Sequence, residues 1–94
     1  MEIQHSDNGK EGSFFIKIDG QRDAEMTYYY KDKNTIDIDH TEISKSLQGE
    51  GIGYELIEAA VRFMRNKNLK AVTSCSYAKE IFEKKQAEYQ DVII

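Results

Sequence analysis

Hydrophobic and polar positions alternate through the first half of the chain and fall at helical spacing through much of the second. From Ser13 to Asp19, Phe14, Ile16 and Ile18 share one side and Phe15, Lys17 and Asp19 the other, which predicts a strand. Gly20 and its neighbours predict a turn. Ala24, Met26, Tyr28 and Tyr30 then line one side of a second strand that pairs with the first as a hairpin. Asp32-Lys33-Asn34 turns the chain again, and Thr35 to Ile43 predicts a further strand with Ile36, Ile38, His40 and Glu42 on one face. A short strand within Met1 to Asn8, closed by the polar turn Asp7 to Gly12, precedes all of these.

At about 100° per residue, Ile52, Leu56, Ile57, Ala59, Ala60, Val61, Phe63 and Met64 form one broad apolar face over residues 52–67. This predicts a helix lying across a sheet and ended by Asn68. Leu69 to Ser74 predicts a strand, and a helix feeding a strand implies a parallel crossover. Ser76 is expected to cap a second helix that turns Ala78, Ile81, Phe82 and the stem of Lys85 inward. Asp91 to Ile94 reads as a last strand. The resulting fold class is α/β, of the mixed α+β kind: one domain over residues 1–94, a mostly antiparallel sheet and two main helices.

With 94 residues, the chain buries only about 60–65% of the surface its unfolded form exposes, so a second domain is not expected. No segment reaches the roughly 20 consecutive apolar residues of a membrane span, and Met1 to His5 shows no signal-peptide pattern. A cytoplasmic location is the expectation, with no membrane partner. A net charge of −4 disfavours nucleic acid, whose phosphates call for clustered Lys and Arg. One cysteine, Cys75, excludes an internal disulfide, and with only His5 and His40 beside it no metal site is expected. The chain is expected to act as a monomer or weak dimer.

Candidate chemistry centres on Gln48-Gly49-Glu50-Gly51-Ile52-Gly53-Tyr54, a glycine-rich turn between predicted strand and predicted helix. A helix start presents N–H groups without intrahelical partners together with partial positive charge, and glycines let phosphates approach the backbone. A nucleotide P-loop is excluded, because no glycine stands before Lys and then Ser or Thr at the required spacing. A dinucleotide fingerprint counted from Gly49 and Gly51 fails at Tyr54. What remains is Q-x-x-G-x-G, formed by Gln48, Gly51 and Gly53, with Ile43 five residues before Gln48. This pattern resembles the acetyl-CoA signature of the GNAT superfamily of N-acetyltransferases.

The resemblance implies a reduced GNAT-like acyl-CoA N-acyltransferase fold with acetyl-CoA or CoA as co-substrate. Gln48, Gly49, Gly51, Ile52, Gly53 and Tyr54 would hold the pyrophosphate, and the strand ending at Ile43 would hydrogen-bond the pantetheine arm. It further implies an amine acceptor, a small molecule or a protein. Cys75 to Lys84 falls onto the superfamily pattern N-x-x-A-x-x-[FL]-Y-[EK]-K with two departures. Cys75 replaces the usual Asn, and Phe82 replaces the Tyr that protonates the departing thiolate. The helices usual between the first two strands are missing. The whole is most similar to a small single-domain GNAT-like subfamily that binds acetyl-CoA.

Acyl transfer needs a nucleophile, a proton acceptor and donors for the developing oxyanion. Glu42 is the candidate base for direct attack by an amine. Cys75, expected at a helix N-terminus that favours a thiolate, is a candidate for an acetyl-cysteine intermediate with His40 as its base. Two functions of different class follow: an acetyltransferase, and a CoA-binding sensor or interaction module without turnover. A third reading, a structural domain whose glycine turn binds nothing, predicts that Gly51→Val changes no ligand binding.

Overall fold

A computed structural model describes residues 2–94; Met1 of the first predicted strand lies outside them. The chain folds as β1 (Gln4–Asp7), β2 (Glu11–Ile18), β3 (Gln21–Asp32), β4 (Thr35–Ile43), a 3-10 turn (Lys45–Leu47), α1 (Ile52–Lys67), β5 (Lys70–Thr73), α2 (Ser76–Lys84) and α3 (Gln86–Tyr89). The five strands form one sheet in sequence order, β1 through β4 antiparallel and β5 parallel to β4. Asp19 and Gly20, both at positive φ, form the two-residue loop that joins β2 to β3. That is the backbone demanded by a tight hairpin twisted like its strands.

The predicted helix over 52–67 stands with the same bounds, and Asn68, in the left-handed region, ends it. Two expectations are corrected near the C-terminus. Ser76 does not cap α2; Cys75 occupies the cap position and no side chain caps the helix. The predicted strand over 91–94 is reduced to a single parallel bridge from Ile93 to Ala71, because the short helix α3 and a turn use up the chain before it.

Both crossovers, β4–α1–β5 and β5–α2–Ile93, step in the same direction across the sheet, and right-handed connections then place both helices on one face. The core agrees with this arrangement. Phe14, Ile16, Ala24, Met26, Tyr28, Ile36 and Ile38 from the sheet join Leu56, Ile57, Val61 and Met64 of α1 and Ala78, Ile81 and Phe82 of α2 in one buried cluster. The other face carries no helix. Phe15, on that open face, is covered by its neighbours' cations, with the Arg22 guanidinium 3.7 Å from the ring centroid. No helix among the described residues is long and apolar enough to cross a membrane.

Far from the glycine turn, β1 is fastened to the core by a cluster of polar and aromatic groups. The His5 ring stacks on Phe14 with centroids 4.1 Å apart, and its Nε2 lies 2.7 Å from the Tyr28 hydroxyl. Tyr28 and Tyr30 both donate to Asp7 Oδ2, at 2.5 and 2.7 Å. Burial lowers the His5 pKa and outweighs the opposing pull of Asp7. Burial pushes Asp7 upward, but the Tyr28, Tyr30 and Gly9 hydrogen bonds and the charge of His5 hold its carboxyl below the ordinary range. Each group is therefore less readily protonated in the folded chain. Its contribution to stability is present above the unfolded-state pKa and lost as pH falls toward the folded-state value. Thermal denaturation across pH should show stability declining below about 6.5 as His5 titrates and again below about 4 as Asp7 does. Asp7→Asn should shrink the second decline to the part contributed by Asp91, whose carboxyl Arg65 also holds below the ordinary range.

Candidate functional site

The glycine turn adopts the backbone its composition requires. Gly49 and Gly51 lie at φ 85° and 74°, and Gly51 is the N-cap of α1, with no side chain bonded to the helix end. The N–H groups of Ile52, Gly53 and Tyr54 therefore lack intrahelical acceptors and carry the positive end of a sixteen-residue helix. Gln48 donates its side-chain amide to the Ile43 carbonyl at 3.2 Å, tying the turn to the end of β4. Gly53 serves a different purpose. It is buried under Tyr77, whose hydroxyl would lie 1.9 Å from any Cβ added there.

A cleft of about 570 Å³ opens along this turn, lined among others by Thr41, Ile43, Gln48, Gly51, Tyr54 and Tyr77. Thus the end of β4, the start of α1 and the first turn of α2 share one concave surface. Burial raises the Tyr77 pKa, reinforced by the charges of Tyr54, Cys75 and Glu80, so its hydroxyl keeps its proton at neutral pH. Lys85 Nζ lies 5.3 Å from the centroid of Tyr54, placing a cation behind the cleft wall.

The parallel seam between β4 and β5 is short, running from Thr35 opposite Lys70 to Ile38 opposite Thr73. Beyond Ile38 the two strands part. Asp37 holds the end of the seam: it is 6% exposed and accepts from the Ser74 N–H at 3.0 Å, the Ser74 hydroxyl at 2.8 Å and the Tyr29 hydroxyl at 3.1 Å. The Ile38 carbonyl accepts from the N–H groups of both Ser74 and Cys75, which fixes Cys75 at the fork.

A β-bulge changes the faces of β4. Tyr28 pairs with Ile38 but Thr27 pairs with His40, so Asp39 is the extra residue. Alternation then restarts one step out of phase. The expectation that His40 and Glu42 continue the Ile36 and Ile38 face is overturned. Thr41 and Ile43 face the helices and the cleft, while His40 and Glu42 face the open side, exposed, with His40 Nε2 3.2 Å from Glu42 Oε1. The expected Cys75 and His40 dyad is not assembled. Cys75 is half-buried, and its thiol donates to Thr41 Oγ1 at 3.5 Å, on the face opposite His40.

The structure thus brings together Ile43, Gln48, Gly49, Gly51, Ile52, Gly53 and Tyr54 around one cleft and sets Cys75 at the fork beside it. Thr41 and Tyr77 were missed from the sequence. A bulge hides Thr41's orientation, whereas Gly53 inside a helix was a legible sign that another side chain lies close.

Residues 13–92 match the model of the GCN5-related N-acetyl-transferase family. Protein NATD1 of Xenopus tropicalis is 35% identical over 82% of this chain and 70% of its own length, and Protein NATD1 of Danio rerio is 30% identical over 100% and 86%. The solution structure of a GCN5-like protein from Staphylococcus aureus is 40% identical, covers 99% of this chain and 87% of that one, and superposes with a TM-score of 0.78. A GNAT family acetyltransferase from Elizabethkingia anophelis with acetyl-CoA bound, 20% identical, shares the fold over 82% of this chain and 53% of its own at a TM-score of 0.63. With a glycine turn, helix and forked strands arranged as above, and a family match spanning nearly all of its elements, the chain belongs to the GCN5-related N-acetyl-transferase family.

Proposed function

We propose that this protein binds acetyl-CoA in the cleft along β4 and α1 and transfers the acetyl group to an amine. The observation that carries the reading is the side-chain-free N-terminus of α1, opened toward the cleft by Gly49 and Gly51. The amides of Gly49, Gly51, Ile52, Gly53 and Tyr54 would hold the pyrophosphate, with Gln48 fixing the turn and the Thr41 to Ile43 stretch lying along the pantetheine arm. That the relative from Elizabethkingia anophelis carries acetyl-CoA supports the same ligand here. The thioester would then lie at the fork beyond Ile38.

The amine would enter from the open face, where His40 and Glu42 are exposed and paired. These two are assigned the removal of its proton, by way of water, before attack. Phe82, buried in the core against Tyr89, takes no part. Tyr77, a neutral hydroxyl in the cleft wall, is the candidate donor to the departing thiolate.

A second route is favoured by the position of Cys75 at the fork and at the start of α2, half-buried beside the cleft. Acetyl would pass first to Cys75, with Thr41 rather than His40 beside the sulfur. Calorimetric titration with acetyl-CoA and with CoA, followed by mass analysis of the protein, tests the proposal. Binding of both ligands is expected, and acetyl mass on Cys75 marks the second route. If Cys75→Ala keeps full transfer, the second route is excluded. Binding without release of CoA to any amine leaves the sensor reading in place.

A further inference from the structure

A second cavity of about 500 Å³ lies on the helix-free face of the sheet, lined among others by Ser13, Arg22, Thr27, Tyr29 and Asp39. Its two ends carry opposite charges held in place by the sheet. The Arg22 guanidinium carbon lies over Phe15, 3.7 Å from the ring centroid, and its Nη1 donates to Ser13 Oγ at 3.1 Å and to Glu25 Oε2 at 3.4 Å. Among the described residues these are its hydrogen bonds, so Nε and Nη2 remain as a fork of the kind that grips a carboxylate with two parallel bonds. Across the cavity, Asp39 Oδ1 accepts from Thr27 Oγ1 at 2.6 Å, and Oδ2 is left for a cation. Ser13 and Thr27 are directly opposed on β2 and β3, so the guanidinium and the carboxylate stand at the ends of one cross-strand row. Their separation is on the order of one to two strand spacings, about 5–10 Å.

Asp39 is the bulge residue, the first position past the last β4–β5 pair. Its carboxylate leans over Thr27 of β3, so a cation held there stands on the β3 side of β4, one strand spacing (~5 Å) from the fork where a ligand in the cleft on the other face would present its reacting end. We infer that this cavity is the acceptor site and that the acceptor is a small aminocarboxylate, its carboxylate on Arg22 and its amine at Asp39. This inference rests on the acetyl-transfer reading above and names its substrate class. The ammonium first yields one proton, by way of water, to the His40 and Glu42 pair. The amine lone pair then forms the C–N bond as the thioester C–S bond breaks, and the second nitrogen proton ends on the CoA thiolate.

The test uses the purified chain, acetyl-CoA and matched amines: β-alanine, 4-aminobutanoate and 6-aminohexanoate against propylamine, butylamine and hexylamine. Release of CoA thiol gives kcat/KM, and amide NMR shifts of Ser13 and Thr27 report binding without acetyl-CoA. At least a tenfold preference for an aminocarboxylate over its matched alkylamine is expected, with shifts at Ser13 and Thr27. Arg22→Gln should bring that preference to about one. Equal use of the two series, a preference that survives Arg22→Gln, or absence of shifts at Ser13 and Thr27 overturns the inference. Shifts that Arg22→Gln removes, with no CoA released by any amine, uphold the aminocarboxylate site and defeat acetyl transfer instead.

Discussion

Gly51→Val is expected to weaken acetyl-CoA binding about a hundredfold. Gly51 sits at φ 74° as the N-cap of α1, a backbone region that costs an ordinary residue about 1–2 kcal/mol and a β-branched one more. No neighbour lies within 4 Å of a Cβ at this position, so the penalty is conformational rather than steric. The chain would relieve it by rotating the turn, swinging the first N–H groups of α1 away from the position proposed for the pyrophosphate. A hydrogen bond to a charged group is worth about 1.5–3 kcal/mol, and losing one together with the strain reaches about 3 kcal/mol, or a hundredfold in Kd. Calorimetry measures the loss, with circular dichroism confirming that the helices persist. Unchanged affinity would remove the glycine turn as the phosphate site and restore the reading in which it is only a connector.

Gly12→Ala should be the most damaging small substitution for stability, lowering it by about 2–3 kcal/mol and the midpoint of thermal unfolding by roughly 10–20 °C. A Cβ at Gly12 meets the Tyr28 hydroxyl at 2.4 Å and the Ser6 carbonyl oxygen at 2.5 Å. Neither gives way easily. Tyr28 is 2% exposed and bonded to both His5 and Asp7, and Ser6 is backbone paired in the β1–β2 ladder. Gly9→Ala is the control. Gly9 has positive φ but open space around it, and its cost is limited to about 1–2 kcal/mol of backbone strain. A Gly12→Ala midpoint no lower than that of Gly9→Ala would contradict the packing described for Tyr28.

Much of the fold was legible because its segments obey one period over many residues. The α1 stripe and the β4 run gave bounds that the structure repeats, and the glycine spacing pointed to the cleft. What remained hidden depends on single residues that break a period. Asp39 adds one residue to β4, and that alone reverses the faces of His40 and Thr41 and separates His40 from Cys75. No local preference in Ile38-Asp39-His40 marks the bulge; it arises from how β3 and β4 pair. The same holds at the C-terminus, where Val92 and Ile93 read as strand formers but their pairing is limited to one bridge by the chain already spent in α3. The charged row on the open face was invisible for a related reason, since Ser13, Arg22 and Asp39 are distant in sequence and meet only across strands.

The short seam between β4 and β5 divides the molecule by the order in which contacts can form. The β1 to β4 meander joins neighbours through tight turns and closes early and locally, whereas the seam waits for α1 to fold and carry Lys70 back to Thr35. Four residue pairs hold it, as few as join β1 to β2, so it is one of the lines along which the native chain opens cheaply. The cleft straddles that line, with Thr41 and Ile43 on the meander and the first turn of α1 and Tyr77 beyond it. A ligand seated there acts as a rivet between the early half and the late half, so occupancy and completion of the fold favour each other.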